Sequence, residues 1–372
     1  MKKIQVLKPR FRVEECLSEI RECLEIGWSG MGFKTTIFEE KWKEYSALPN
    51  AHFLNSATVG LHLAVKILKE KFGWKNGDEI ISTPLTFVST NHAILYENMR
   101  PIFADIDSSL NLDPASVLEK ITPKTKAIVF VGIGGNGANL EEIINIARER
   151  GLKIILDAAH MSGSKIDNRH VGYNVDVAVF SFQAVKNLPT ADSGMICFTD
   201  KKMDEAARKL SWLGINKDTF ARSSEGSYKW DYEVDEVGYK YHGNSIIAAM
   251  GIVGLKYLDE DNAYRRKLAA LYELNLIGKI PFINHKRESS RHIFQVVVEN
   301  RNEVIDTLSK EGIFCGVHYK DNTLYAPFKG ERLKNVRYYS DRILSLPLHL
   351  GLEERDIIDI SERITRVARP PI

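Results

Sequence analysis

Between residues 50 and 200 the chain alternates short, unbroken apolar runs with stretches whose apolar positions recur every three or four residues. The runs are HFLN, EIIST, PIFADI, AIVFV, KIILD, VAVFSF and GMICF. None alternates apolar with polar positions. Each therefore predicts a strand covered on both faces, as in a mostly parallel sheet. The stretches between them predict amphipathic helices. In NLEEIINIARERG, Leu140, Ile143, Ile144 and Ala147 share a face, Asn139 and Glu142 have capping-box spacing, and Gly151 closes the segment. This rhythm predicts an α/β fold: a large domain with a mostly parallel sheet flanked by helices. Ligands of such sheets bind beyond the carboxyl ends of the strands.

After about residue 250 the rhythm changes. SIIAAMGIVGLKYLDEDNAYRRKLAALYELNL predicts one long helix or two in succession. A strand (FQVVVEN), a helix (NEVIDTLSKEG) and a closing helix near ERDIIDISERI follow. Residues 1–250 are expected to form the large cofactor-binding domain, and 251–372 a smaller C-terminal α/β domain.

Charge and cysteine usage narrow the function classes. A formal net charge of +2, without a basic stripe, speaks against a nucleic-acid surface. Cys16, Cys23, Cys197 and Cys315 show neither a CxxC pair nor metal-ligand spacing. They read as reduced thiols of a cytoplasmic protein with no metal site. MKKIQVLKPRF has no apolar signal core, and no apolar run reaches the roughly 18 residues of a membrane span. The expectation is a protein neither exported nor embedded in a membrane.

Two patterns compete for the chemistry. GIGGNG, residues 132–137, spells G-x-G-x-x-G between the strand AIVFV and a helix, and Asp157 closes the next strand. That is the layout of a dinucleotide fingerprint and keeps an NAD-dependent oxidoreductase in view. Against it, several strand–helix units precede the motif, and a tight turn explains its glycines equally well. The second pattern is a set of strand ends. Asp157 ends KIILD, Ser181 ends VAVFS with Lys186 five residues on, Ser56, Ala57 and Thr58 open a helix, and Phe87 lies in the loop after EIIST. Taken singly, each reads as a cap, a turn or core. Together they match the needs of pyridoxal 5′-phosphate. Lys186 supplies a Schiff-base amine and Asp157 a carboxylate for the pyridine nitrogen. The Ser56–Thr58 turn, with Ser181, supplies hydroxyls and helix amides for the phosphate. Phe87 supplies an aromatic face.

With these residues in place the chain resembles the DegT/StrS-like nucleotide-sugar aminotransferases, a branch of the fold-type I pyridoxal phosphate enzymes. The resemblance runs through WSGMG, FEEKW, NSAT, TPLTFVSTNHAIL, RPIFADID, LDAAH, SFQAVKN, GYKYHGNSIIAAMGIVGLKYLD and ILSLPLHLGL. It implies Lys186 as the catalytic Schiff-base lysine and Asp157 as partner of the pyridine nitrogen. It implies His160 beside the cofactor's phenolic oxygen, Phe87 on the ring, and Ser56, Ala57, Thr58 and Ser181 on the phosphate. It further implies a homodimer with sites at the subunit interface, where His242 of GYKYHGN reaches the partner subunit's phosphate. Three stretches depart from the family pattern: Gly132-x-x-Gly135, Ala191-Asp192-Ser193-Gly194 and Ser245-Ile246-Ile247. They leave substrate identity open. Retention of Lys186 speaks against the family's dehydratases. The implied activity is amino transfer, with glutamate as expected donor, to a keto sugar linked to a nucleoside diphosphate. A regulatory protein on the same scaffold is the non-enzyme alternative. His318 and Tyr319 approach the substrate or merely join strand to helix, and 215–235 is a candidate cover for the site.

Overall fold

A computed structural model describes residues 3–215 and 232–371. All seven apolar runs are strands of one sheet: β1 (Asn50–Leu54), β2 (Glu79–Ser82), β3 (Arg100–Phe103), β4 (Thr125–Val131), β5 (Lys153–Asp157), β8 (Val177–Ser181) and β9 (Gly194–Phe198). A small hairpin, β6 (Lys165–Ile166) with β7 (Arg169–His170), lies between β5 and β8 in the chain. The sheet order is β1-β9-β8-β5-β4-β2-β3. Only β9 runs antiparallel to its neighbours.

Two apolar cores explain the unbroken runs. Phe130, Leu156 and Phe180 point to one face, where they join Phe38 and Trp42 of the helix α2 (Phe33–Ser46). Val129, Ile155 and Val179 point to the other, beneath the helix α3 (Ala57–Phe72) and the helix Lys201–Ser211. Each such side chain, fully withdrawn from water, contributes about 1.5–3 kcal/mol. A polar residue on either face would lose its hydration with no partner.

The run after residue 244 forms two helices, Ser245–Lys256 and Leu258–Leu276. The first packs on α2 and on α1 (Val13–Glu25); the second packs on the closing helix Glu354–Val367. A two-stranded antiparallel ladder, β10 (Phe294–Val297) with β11 (Ile343–Leu346), shares a third core with these helices. Ile4 belongs to that core and bridges to Ile313.

One local expectation fails. The helix Leu140–Glu149 has Asn139 at its N-cap, but no side-chain cap forms. Asn139 Nδ2 instead donates to Asp107 Oδ2 at 2.9 Å and to the Leu112 carbonyl at 3.0 Å. A neighbouring carboxylate competes for the side chain that a local pattern assigns to the helix.

Candidate active site

The register fixes which strand ends meet. Val131, Asp157 and Val179 lie abreast across β4, β5 and β8, and Ser181 and Leu54 both pair with Gly194 of β9. A Cβ at Gly194 would stand 2.6 Å from the Ala57 nitrogen. The glycine therefore lets the N-terminus of α3 sit down on the end of the sheet. Ser56 caps that helix, its Oγ accepting from Val59 N–H at 3.3 Å. The first two helix amides, of Ala57 and Thr58, have no intrahelical acceptor, and both residues line the cavity, as an anion site requires.

These elements enclose a cavity of about 480 Å³. Ser56, Ala57, Thr58, Phe87, Asp157, His160, Ser181 and Lys186 all line it, so eight of the nine residues expected from the sequence converge. Phe87 is 57% exposed, and its ring lies 6.0 Å from that of Tyr319. His318 and Tyr319 line the same cavity, so their loop does approach the site. His242 lies elsewhere, in a cleft with Trp28, Trp212 and Lys240. Most of the 215–235 segment, residues 216–231, lies outside the described residues.

The electrostatics set each group's state. Among the described residues, none accepts a hydrogen bond from the Lys186 ammonium, and burial pulls it down to about 8, with Asp157 acting in the opposite sense. Burial raises the Asp157 carboxyl, opposed by the Thr90 hydroxyl, the Ala159 amide and Lys186. That carboxylate is oriented at both oxygens: Thr90 Oγ1 donates at 2.7 Å and Ala159 N–H at 3.1 Å. His160 is held well below the usual imidazole range, first by burial and then by Lys186, His292 and His318. Its tautomer follows from its partners. Gly134 N–H donates to Nδ1 at 3.1 Å, so Nε2 carries the proton and donates to Tyr319 Oη at 3.0 Å. The Tyr319 hydroxyl proton is then free to point elsewhere.

Sequence reasoning missed two contributors. His292 lines the cavity, with Nδ1 2.8 Å from Asn187 Oδ1. Asn187 gives its amide protons to Asn262 Oδ1 and the Ser290 carbonyl, so its oxygen must accept from His292. Thr90, the other, was inside the quoted TPLTFVSTNHAIL, but only the fold reveals its reach to Asp157.

The dinucleotide reading does not survive. Residues 131–137 are buried throughout. A Cβ at Gly132 would meet the Met161 side chain, one at Gly134 would lie 2.8 Å from His285, and one at Gly135 2.2 Å from Ser290 Oγ. The glycines admit the 285–293 segment, and their amides do not face an open phosphate site. The helix that follows begins only at Leu140.

The residues present fit pyridoxal phosphate. A lysine whose ammonium has no hydrogen-bond partner among the described residues shares the cavity with a buried carboxylate, and the first residues of a helix line the same cavity. Comparisons with known proteins agree. Residues 11–365 match the DegT/DnrJ/EryC1/StrS aminotransferase family. The spore coat polysaccharide biosynthesis protein SpsC of Bacillus subtilis is 33% identical over 375 residues, covering 96% of this chain and 95% of that protein. Among solved structures, the pyridoxal phosphate form of a putative sugar aminotransferase, Spr1654 of Streptococcus pneumoniae, superposes with a TM-score of 0.88 at 26% identity, covering 98% of both chains. DesI, solved in the presence of its TDP-sugar product, gives 0.86 at 25% identity, covering 98% of this chain and 93% of its own. The strand-end lysine and the carboxylate facing it thus belong to a member of the DegT/DnrJ/EryC1/StrS aminotransferase family, and this chain is a pyridoxal phosphate-dependent aminotransferase.

Proposed function

We propose that this chain is a nucleotide-sugar aminotransferase. It moves an amino group from glutamate to a keto sugar linked to a nucleoside diphosphate, making an amino-deoxy sugar for polysaccharide or related glycan biosynthesis. The observation that carries the reading is Lys186: an amine brought to about 8 by burial, without a hydrogen-bond partner among the described residues, on the wall of the cavity that Asp157 also lines. The similarity to SpsC and to DesI supports a sugar as acceptor.

Bound pyridoxal phosphate supplies an aldehyde for amine exchange and an electron sink for the carbon that loses its proton. This chain's residues do the rest. With the cofactor bound, Lys186 would be the amine that anchors it and the base that takes and returns the substrate's proton. A pKa near 8 suits that work, because an amine must be neutral to attack and to accept a proton. Asp157 would hold the ring nitrogen protonated, Phe87 would offer an aromatic face to the ring, and His160, fixed in one neutral tautomer, would meet the phenolic oxygen. Ser56, Ala57, Thr58 and Ser181 would hold the phosphate. The second subunit of a homodimer completes the site through His242, consistent with that residue's separation from its own protomer's cavity.

The test is an absorbance spectrum of the purified protein before and after borohydride, with peptide mass mapping. The expected result is a visible band that bleaches and a pyridoxyl mass on the peptide containing Lys186. A protein that takes up no added pyridoxal phosphate would overturn the reading. Amino transfer from glutamate to a panel of UDP-, TDP- and GDP-linked keto sugars then tests the substrate class.

A further inference from the structure

The loop that carries Phe87 leads into more chemistry than its ring. Thr90 lies in the first turn of α4 (Val88–Tyr96), where a threonine hydroxyl often bonds back to the carbonyl four residues earlier. Here that carbonyl belongs to Thr86 and accepts from Asn322 Nδ2 at 2.9 Å. Thr90 Oγ1 donates to Asp157 Oδ2 instead. Thr86 Oγ1 stands 2.9 Å from Thr90 Oγ1. Since the one hydroxyl proton of Thr90 is committed to the carboxylate, Thr86 is the donor of that pair.

Asn322 is equally constrained. Its Oδ1 accepts from Asn91 Nδ2 at 2.9 Å, and Asn91 Oδ1 accepts from Ser82 Oγ at 2.8 Å. Its backbone N–H donates to the Pro84 carbonyl at 2.8 Å. Ser82, Thr86, Thr90, Asn91 and Asn322 are all buried. Every donor in the set has a single direction, and one line of them ends on Asp157. Buried networks with all members satisfied hold one geometry, and a group removed from them leaves its partner unpaired. Asn322 lies three residues beyond Tyr319.

We propose that Thr90 is a positioning residue for Asp157, and that Asn322, by holding the backbone carbonyl of Thr86, ties the residue at the head of that hydroxyl chain to the loop bearing Tyr319. The carboxylate that meets the cofactor and the side chains that face the substrate are thus held in register with each other. The proposal rests on the reading that Asp157 faces the ring nitrogen of pyridoxal phosphate.

The test compares holoenzymes of the wild type, Thr90→Val, Thr90→Ser and Asn322→Leu. Two properties are read: the Kd for pyridoxal phosphate, and the pH titration of the bound cofactor's visible band. Thr90→Val keeps the shape and removes the donor to a charged group, so binding is expected to weaken about ten-fold or more and the band to shift. Thr90→Ser restores the hydroxyl and is expected to return the Kd to within about three-fold and the band to its wild-type titration. Asn322→Leu is expected to move the band in the same direction by less.

A valine variant with wild-type Kd and band would overturn the proposal. So would a serine variant as impaired as valine, which would assign the effect to packing. If Thr90→Val does not fold, Thr86→Val removes the hydroxyl that donates to Thr90, and an unchanged band there overturns the proposal. An Asn322→Leu band identical to wild type would remove Asn322 from the chain. A wild-type protein that binds no pyridoxal phosphate removes the functional reading as well, whereas normal wild-type binding with indifferent variants removes this inference alone.

Discussion

The loops leaving β4 and β5 start from neighbouring strands at the same edge of the sheet, and they do opposite things. After β5 the chain presents Asp157 and His160 to the cavity, with their remaining polar atoms satisfied by Thr90, Ala159, Gly134 and Tyr319. After β4 it presents glycines whose missing side chains are filled by Met161, His285 and Ser290. The first loop lines the cavity with polar side chains, and the second gives close approach. Gly134 also serves the first loop directly, since its amide sets the His160 tautomer. A glycine-rich motif at a strand end therefore does not identify a ligand site. What identifies one is whether polar groups there still point into open volume.

The largest test of this contrast removes the chemistry from the working side. Lys186→Ala is expected to lower kcat for amino transfer by about 10³-fold or more, because both the covalent anchor and the proton carrier go. Steady-state assay with borohydride mapping checks it, and normal turnover without Lys186 would contradict the assignment. Asp157→Asn comes next. It keeps the shape and loses the charge facing the ring nitrogen, so a fall of about 10²–10³ in kcat is expected. An unaltered kcat would show that Asp157 serves packing.

The strands were readable because burial on both faces writes an unbroken apolar run, a signal needing only neighbouring residues. Asp157 and Lys186 were picked out for a related reason, since Asp157 closes such a run and Lys186 follows one by five residues, where an α/β sheet opens, and both line the cavity. Thr90, Asn322 and His292 carried no such mark. Thr90 meets Asp157 from 67 positions away, and Asn91 meets Asn322 from 231. The role of each is set by a tertiary approach that no local spacing encodes. Asn139 shows the reverse error, a correct helix start whose cap bond is diverted to Asp107. GIGGNG failed similarly: the order of its letters was right, but what packs on it comes from residues 285–293.

pH separates the two loops in a graded way. With Lys186 near 8 in the cofactor-free protein, the neutral amine falls about ten-fold per unit below that pH. Capture of pyridoxal phosphate, followed by rapid-mixing absorbance, is expected to quicken about ten-fold per unit up to pH 8 and then level. A midpoint near the ordinary 10.5 would mean that the cavity does not desolvate the amine. Gly134→Ala probes the packing loop. The residue sits at φ +66°, and an added Cβ would lie 2.8 Å from His285. Denaturant unfolding is expected to show a loss of about 1–3 kcal/mol, with pyridoxal phosphate still taken up. Loss of cofactor capture with stability intact would move this loop to the working side.

His160 joins the two loops, and the substitution with the smallest expected effect tests that junction. The ring accepts one proton from Gly134 and gives one to Tyr319. A glutamine has one acceptor and a donating amide, so it can meet both demands. His160→Gln is therefore expected to change kcat/KM by less than about three-fold, at most about 0.7 kcal/mol. His160→Leu can meet neither. It strands a buried amide and a buried hydroxyl, each worth about 1–3 kcal/mol, and is expected to lose both activity and stability. Equal losses in Gln and Leu, measured by unfolding and by kcat/KM together, would mean that the imidazole contributes more than its two hydrogen bonds. The loop after β5 would then hold a second group of catalytic weight beside Asp157.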